Sequence, residues 1–187
     1  MSADAPGTED STPEWEMYFD LQCPYSKTLR NKVPELRERF GRDYKITTHL
    51  TSLAFHRQSF AAHSASFLIG THMGEEAREK FENACYASFD LYSDEATEKM
   101  TKADLHEVFG FIAEGAGLFE GEFSKEIFLE NIGDWKGNVM PTWFEHKEAL
   151  TKGVLKAPQH VLNGKLLEDT ESSWDVHDYE ARLQKKR

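Results

Sequence analysis

The sequence predicts an α/β fold: a mixed four-stranded sheet with helices on its faces and a helical block inserted midway. Three observations lead there. The chain opens on a strand, a helix and a second strand. Residues 57–152 then turn to helical periodicity almost throughout. The last stretch returns to strand patterning around Asn163-Gly164 and closes on a helix. A strand–helix–strand opening favours a parallel pair with a right-handed crossover. An Asn-Gly turn joins antiparallel neighbours. Both in one sheet make it mixed.

Trp15 to Leu21 alternates apolar residues and reads as a buried strand. From Pro24, Leu29, Val33, Leu36 and Phe40 recur at steps of four, three and four, the period of a helix that Gly41 closes. Tyr44 to Leu50 reads as the second strand. Beyond Arg57, Phe60, Ser64, Phe67, Leu68 and Thr71 share one helical face, and Gly74 breaks it. Ala77, Phe81, Ala84, Cys85, Ser88, Phe89 and Tyr92 mark the next helix. Thr101 with Asp104 predicts a capping box opening a third, with Leu105, Val108, Phe109, Ile112 and Ala116 as its stripe. Ser124 starts a short helix through Phe128 and Ile132. A last helix of the block runs from Met140 to Thr151, with Trp143 and Phe144 expected to face inward. After Gly153, residues 154–158 lead into the strand Gln159–Leu162, and Lys165-Leu166-Leu167 returns. Ser172 with Asp175 is expected to cap a final helix through Trp174, Tyr179 and Leu183.

At 187 residues the chain is long enough for one domain with a real core. The expected division is a disordered tail over 1–13, a first half over 14–56, the helical insertion over 57–152 and a second half over 153–187. A formal charge of −11 argues against nucleic acid or an anionic membrane as the main partner. No hydrophobic run approaches membrane-spanning length. The acidic start lacks the features of a secretory or transit signal. With only Cys23 and Cys85, this points to a reducing, cytoplasmic setting without a disulfide framework. Eight histidines show no metal-site spacing, so no metal is expected.

The chemistry centres on Phe19-Asp20-Leu21-Gln22-Cys23-Pro24-Tyr25-Ser26. Proline suits the first helical turn, which puts Cys23 at the strand-to-helix junction. Unpaired N–H groups and the helix dipole favour a thiolate there. Ser26, one turn on, is placed to donate a hydrogen bond to that sulfur, and Lys27 can add positive potential. The plain alternative is a buried cysteine acting as a small apolar residue. Asp20 is a candidate proton acceptor beneath the thiol, or else points to solvent from the strand end. His160 lies two residues after Pro158 and shares its face; a surface histidine on an edge strand is the plain reading. Cys85 sits on an apolar stripe with Phe81 and Phe89, the spacing of a core residue rather than a resolving thiol.

Two motifs in this element order resemble the DsbA-like branch of the thioredoxin superfamily. FDLQCPYS (19–26) resembles a CxxC site with Ser26 in place of the second cysteine. EALTKGVLKAPQHVLNGK (148–165) resembles the family stretch ending in a cis-proline and an Asn-Gly hairpin. The resemblance implies a thioredoxin-like fold with an inserted helical block. It also implies that Pro158 is the cis-proline facing Cys23, and that Ala157 offers its backbone to an extended peptide or glutathione. Pro24, Tyr25, Ala157 and Gln159 are then the binding residues, with Cys23, Ser26 and Pro158 catalytic. The first motif is also similar to kappa-class glutathione transferases and 2-hydroxychromene-2-carboxylate isomerases. Tyr18-Phe19-Asp20 and Pro24-Tyr25-Ser26 fit their pattern and Cys23 departs from it.

Ser26 cannot resolve a mixed disulfide, so release must come from glutathione, another protein or Cys85. The leading expectation is therefore a monothiol enzyme of thiol–disulfide exchange or glutathione-dependent thiol transfer. The alternatives are a kappa-like transferase or isomerase on a small electrophile, and a non-catalytic binding or chaperone module. A saturable glutathione site and turnover of a model electrophile distinguish them.

Overall fold

The computed structural model describes residues 12–184. The tail expected over 1–13 lies, through residue 11, outside the described residues, as do the basic residues 185–187. Strand β1 (Glu14–Phe19) is followed by α1 (Pro24–Arg30), α2 (Val33–Phe40) and β2 (Lys45–Leu50). The insertion holds α3 (Ser59–Met73), α4 (Glu75–Ala87), α5 (Lys102–Gly115), α6 (Lys125–Asn131) and α7 (Met140–Thr151), the last entered through a π-helical turn. Strands β3 (Gln159–Leu162) and β4 (Lys165–Leu167) and helix α8 (Val176–Gln184) complete the fold.

The sheet order is β2-β1-β3-β4. β1 runs parallel to β2, with Glu14 opposite Lys45 and Phe19 opposite Leu50. It runs antiparallel to β3, which pairs antiparallel with β4, so the sheet is mixed. The β3–β4 turn needs positive φ at both central residues, and Asn163 (φ 48°) and Gly164 (φ 74°) supply it. The Asn163 side chain accepts from Glu14 N while Asn163 N donates to Glu14 O, tying the hairpin to the start of β1.

Period-two alternation sorts β1 into two faces. Trp15, Met17 and Phe19 enter a core that also contains Leu36 and Phe40 of α2, Phe81 and Cys85 of α4, Phe109 of α5, Phe128 of α6 and Tyr179 of α8. One continuous apolar cluster thus joins the sheet to the insertion. Glu16 and Tyr18 take the other face, where Tyr18 packs with Ala149, Val154 and Val161. Glu16 is met there by Tyr18 Oη at 3.1 Å and by Lys152. Charged groups also tie the insertion to α1 and to itself: Glu82 receives Arg30 of α1 at 3.1 Å and Arg78 at 3.2 Å. Arg78 reaches Glu145 of α7 at 2.5 Å. Burial pushes the Glu145 carboxyl up, but His63 and Arg78 outweigh it and hold it at about 2.

Several expectations need correction. The first helix is two, broken at Asn31-Lys32, because Pro34 has no N–H to continue the ladder from α1. Trp143 and Phe144 do not face inward; they are 45% and 49% exposed. The inner stripe of α7 is Thr142, Glu145–His146 and Ala149, since α7 packs on polar partners. Asp175, not Ser172, caps the final helix: its carboxylate accepts from His177 N and Asp178 N, and the helix starts at Val176. Residues 154–158 are not strand. His160 is no surface residue, because the edges are β2 and β4, leaving β3 interior.

His160 is 1% exposed. Its Nδ1 accepts from Trp15 Nε1 at 3.1 Å and its Nε2 meets Tyr179 Oη at 3.2 Å. Indole nitrogen only donates, so Nδ1 must be unprotonated. Burial, aided by Lys156, pushes the ring down to about 3. A histidine with a lowered folded value contributes stability that is complete above its unfolded value near 6.5 and lost as pH falls towards the folded one. Urea unfolding at pH 5, 6 and 7 should show stability falling with acid. His160→Gln should be less stable at pH 7 yet lose ~1.4 kcal/mol less per pH unit below 6. Equal slopes in the two proteins would show that His160 does not carry the dependence.

Candidate active site

β1 ends at Phe19, and the chain turns through residues 20–23 before α1 begins at Pro24. Cys23 N donates to Asp20 O at 3.0 Å, closing the turn and placing Cys23 at the N-cap of α1. The loop before β3 comes from the far end of the sequence and meets this turn. The Cys23 thiol donates to Ala157 O at 3.2 Å, and the Ala157–Pro158 bond is cis. Cys23 is 2% exposed. Pro24 is exposed and Tyr25 is 65% exposed beside it, while Ala157 and Pro158 are half-buried.

The remaining candidates divide. Ser26 is fully buried, and its hydroxyl oxygen accepts from Asp20 N at 3.1 Å. The sulfur donates to Ala157 O, and among the described residues no hydrogen bond from Ser26 to it is found. Gln159 is buried and donates from its side chain to Leu167 O at 3.1 Å, a bond internal to the β3–β4 hairpin. Lys27 is exposed. Cys85 lies in the main core, where burial and Glu82 push its thiol well up. Both cysteines are free thiols. Among the described residues no cluster of histidine, cysteine and acidic side chains is arranged to hold a metal ion.

Asp20 turns inward rather than to solvent. Fully buried, it accepts from Gln22 N at 2.7 Å, from Leu53 N at 2.8 Å and from His56 Nδ1 at 3.0 Å. Gln22 is the second clamp: Gln58 N donates to its side-chain oxygen at 2.6 Å, and its amide donates to Tyr92 O at 3.0 Å. Two tyrosines complete the support. Tyr86 Oη donates to Asp20 O at 3.1 Å and Tyr92 Oη donates to Leu21 O at 2.8 Å. Burial pushes both phenols well up, so they remain donors. The insertion and the loop leading into it therefore hold the turn that presents Cys23.

Sequence reasoning did not find Gln22, Leu53, His56, Gln58, Tyr86 or Tyr92 as support for the site. A usable signal was tyrosine at 86 and 92 in a stretch whose other aromatics, Phe81 and Phe89, lack a hydroxyl. A buried phenol needs a partner. The other partners are backbone groups, which no residue pattern marks.

This architecture, with its cysteine turn facing a loop before β3, is the thioredoxin fold with a DsbA-like helical insertion. No protein-family model matches the chain, and no curated protein does. Solved structures do. One is a Pseudomonas syringae protein whose assignment as a protein-disulfide isomerase is provisional. It has a TM-score of 0.76 at 16% identity, over 91% of this chain and 93% of that one. Oxidised BdbD of Bacillus subtilis gives 0.64 at 17% identity, over 96% and 90%. The thiol-disulfide exchange protein alpha-DsbA2 of Wolbachia pipientis gives 0.65 at 15% identity, over 97% and 85%. At these identities the likeness is one of fold.

Tyr92→Phe should leave Leu21 O buried without its donor and lower the unfolding free energy by about 1–3 kcal/mol. Urea titration with an unchanged m-value checks it; a change below about 0.5 kcal/mol would mean the hydroxyl does not support the turn.

Proposed function

We propose that this protein is a monothiol enzyme of thiol–disulfide exchange, with Cys23 as nucleophile. The observation that carries the reading is the meeting of two motifs from opposite ends of the sequence, with Cys23 Sγ 3.2 Å from Ala157 O. The fold it shares with the thiol-disulfide exchange protein alpha-DsbA2 supports it. Cys23 thiolate attacks one sulfur of a substrate disulfide. A new S–S bond forms to Cys23, the substrate's S–S bond breaks, and the second sulfur leaves as thiolate and takes a proton. Ser26 has no thiol to attack this mixed disulfide, and Cys85 is buried in the core. An external thiol of the glutathione class attacks the substrate sulfur instead, releasing Cys23 as thiolate and leaving the substrate joined to that thiol. Pro24, Tyr25, Ala157 and Pro158 form the platform on which the substrate lies, and Ser26 keeps the turn closed through Asp20 N. Two free cysteines suit a reducing intracellular compartment.

Incubation with oxidised glutathione near neutral pH, followed by intact mass, should give one glutathione adduct on the parent chain and none on Cys23→Ser. Reduced glutathione should remove it. No adduct on the parent sinks the reading. Ser26→Cys should place a second thiol one helical turn from Cys23, within disulfide range. That variant should expel the glutathione and end as an internal disulfide, two mass units below the dithiol by loss of two hydrogens. A stable adduct on Ser26→Cys would show that position 26 does not reach the sulfur.

A further inference from the structure

The Asp20 carboxylate lies beneath the turn that presents Cys23. Asp20 and Cys23 are the first and last residues of one hydrogen-bonded turn, so their Cα atoms stand within about 7 Å. A buried negative charge in the same turn opposes a thiolate on Cys23. Two of the three donors on the carboxylate, Gln22 N and Leu53 N, are neutral backbone groups. The third is His56 Nδ1 at 3.0 Å. Among the described residues His56 is the one side chain hydrogen-bonded to this carboxylate that can carry positive charge.

The surroundings leave that role to His56. From α4, Tyr86 Oη donates to the Asp20 main-chain oxygen. From α7, His146 Nδ1 accepts from Ser52 N at 3.1 Å, which requires an unprotonated nitrogen there, and burial pushes that ring down. His63 meets Ser52 Oγ at 3.3 Å and Glu145 at 3.4 Å, so its ring serves another pair. Arg57, next in the chain, is exposed. The His56 side chain is 19% exposed, so it reaches solvent while Asp20 does not meet water. The exposed Phe55 ring packs edge-on against it at 4.6 Å and limits its motion.

We propose that His56 is a positioning residue for Cys23 that acts through Asp20: its imidazolium offsets the Asp20 charge and so favours the Cys23 thiolate. This rests on Cys23 being the nucleophile. It adds a proton-dependent control outside the two motifs. The step involves no electron transfer: one proton on the His56 ring changes the charge facing Asp20.

The test is the rate of Cys23 alkylation by iodoacetamide across pH 5–9, followed by intact mass on the full chain, with Cys23→Ser as control. His56→Gln keeps a hydrogen-bond donor and removes the charge. It should slow alkylation at neutral pH by on the order of tenfold and displace the profile to higher pH. His56→Lys should restore the parent rate, which a purely structural role would not produce. Asp20→Asn combined with His56→Gln should also recover it, since no charge is left to offset. A His56→Gln profile superposed on the parent's overturns the proposal, as does slow alkylation in the double variant when circular dichroism shows it folded. So does a parent thiol that does not alkylate at all. The reaction needs no disulfide. A His56-dependent profile without a glutathione adduct therefore sinks the exchange reading alone, and an adduct with a His56-independent profile sinks this inference alone.

Discussion

A buried carboxylate must be met by donors, and Asp20 is where the fold satisfies that requirement within the turn that carries Cys23. Leaving such a group unpaired costs several kcal/mol. Its three donors come from its own turn, from the loop after β2 and from the approach to α3. The turn carrying Cys23 is therefore held in place from two sides. Tyr86 and Tyr92 add the grip of the insertion on the carbonyl groups of the same turn. The backbone of the turn is engaged at Asp20 N and O, Leu21 O, Gln22 N and Cys23 N.

The insertion shares one apolar core with the sheet, so neither part buries its hydrophobic face without the other. Its buried charges bind the same elements in a second way: Arg30 on α1 reaches Glu82 on α4, and Arg78 on α4 reaches Glu145 on α7. Buried pairs of this kind add little net stability, but breaking one is costly. They join α1 to α4 and α4 to α7. The insertion brings Tyr86, Tyr92 and His146 to the cysteine turn and its neighbouring loop.

The chemistry that remains is narrow. One thiol faces a backbone carbonyl, and the residue one turn on has a hydroxyl that supports the turn instead of the sulfur. A dithiol site carries its own means of release; under the proposed function this one would depend on a thiol from outside. The second cysteine in the chain is a core residue, and its thiol is held protonated by burial.

Much of the fold was legible in the residues alone. Period-two runs, the switch to helical period and Asn163-Gly164 specified the strands, the helices and a mixed sheet, because these are local signals. The pairing of Cys23 with the stretch around Pro158 came from two motifs read together. What the sequence could not disclose is whatever depends on which element covers which. Trp143 and Phe144 look like core by composition, yet α7 turns a polar stripe inward because its partners are ions and histidines. His160 looks like a surface residue, yet β3 is an interior strand and Trp15 needs an acceptor. Asp20 had two equal readings, and the choice fell to Leu53 and His56, whose positions only the crossover from β2 settles. The sequence determined the elements and the place of Cys23 at the junction of β1 and α1. Tertiary structure decided which polar groups are buried together, because satisfying a buried group is a matter of distance in space and not of spacing along the chain.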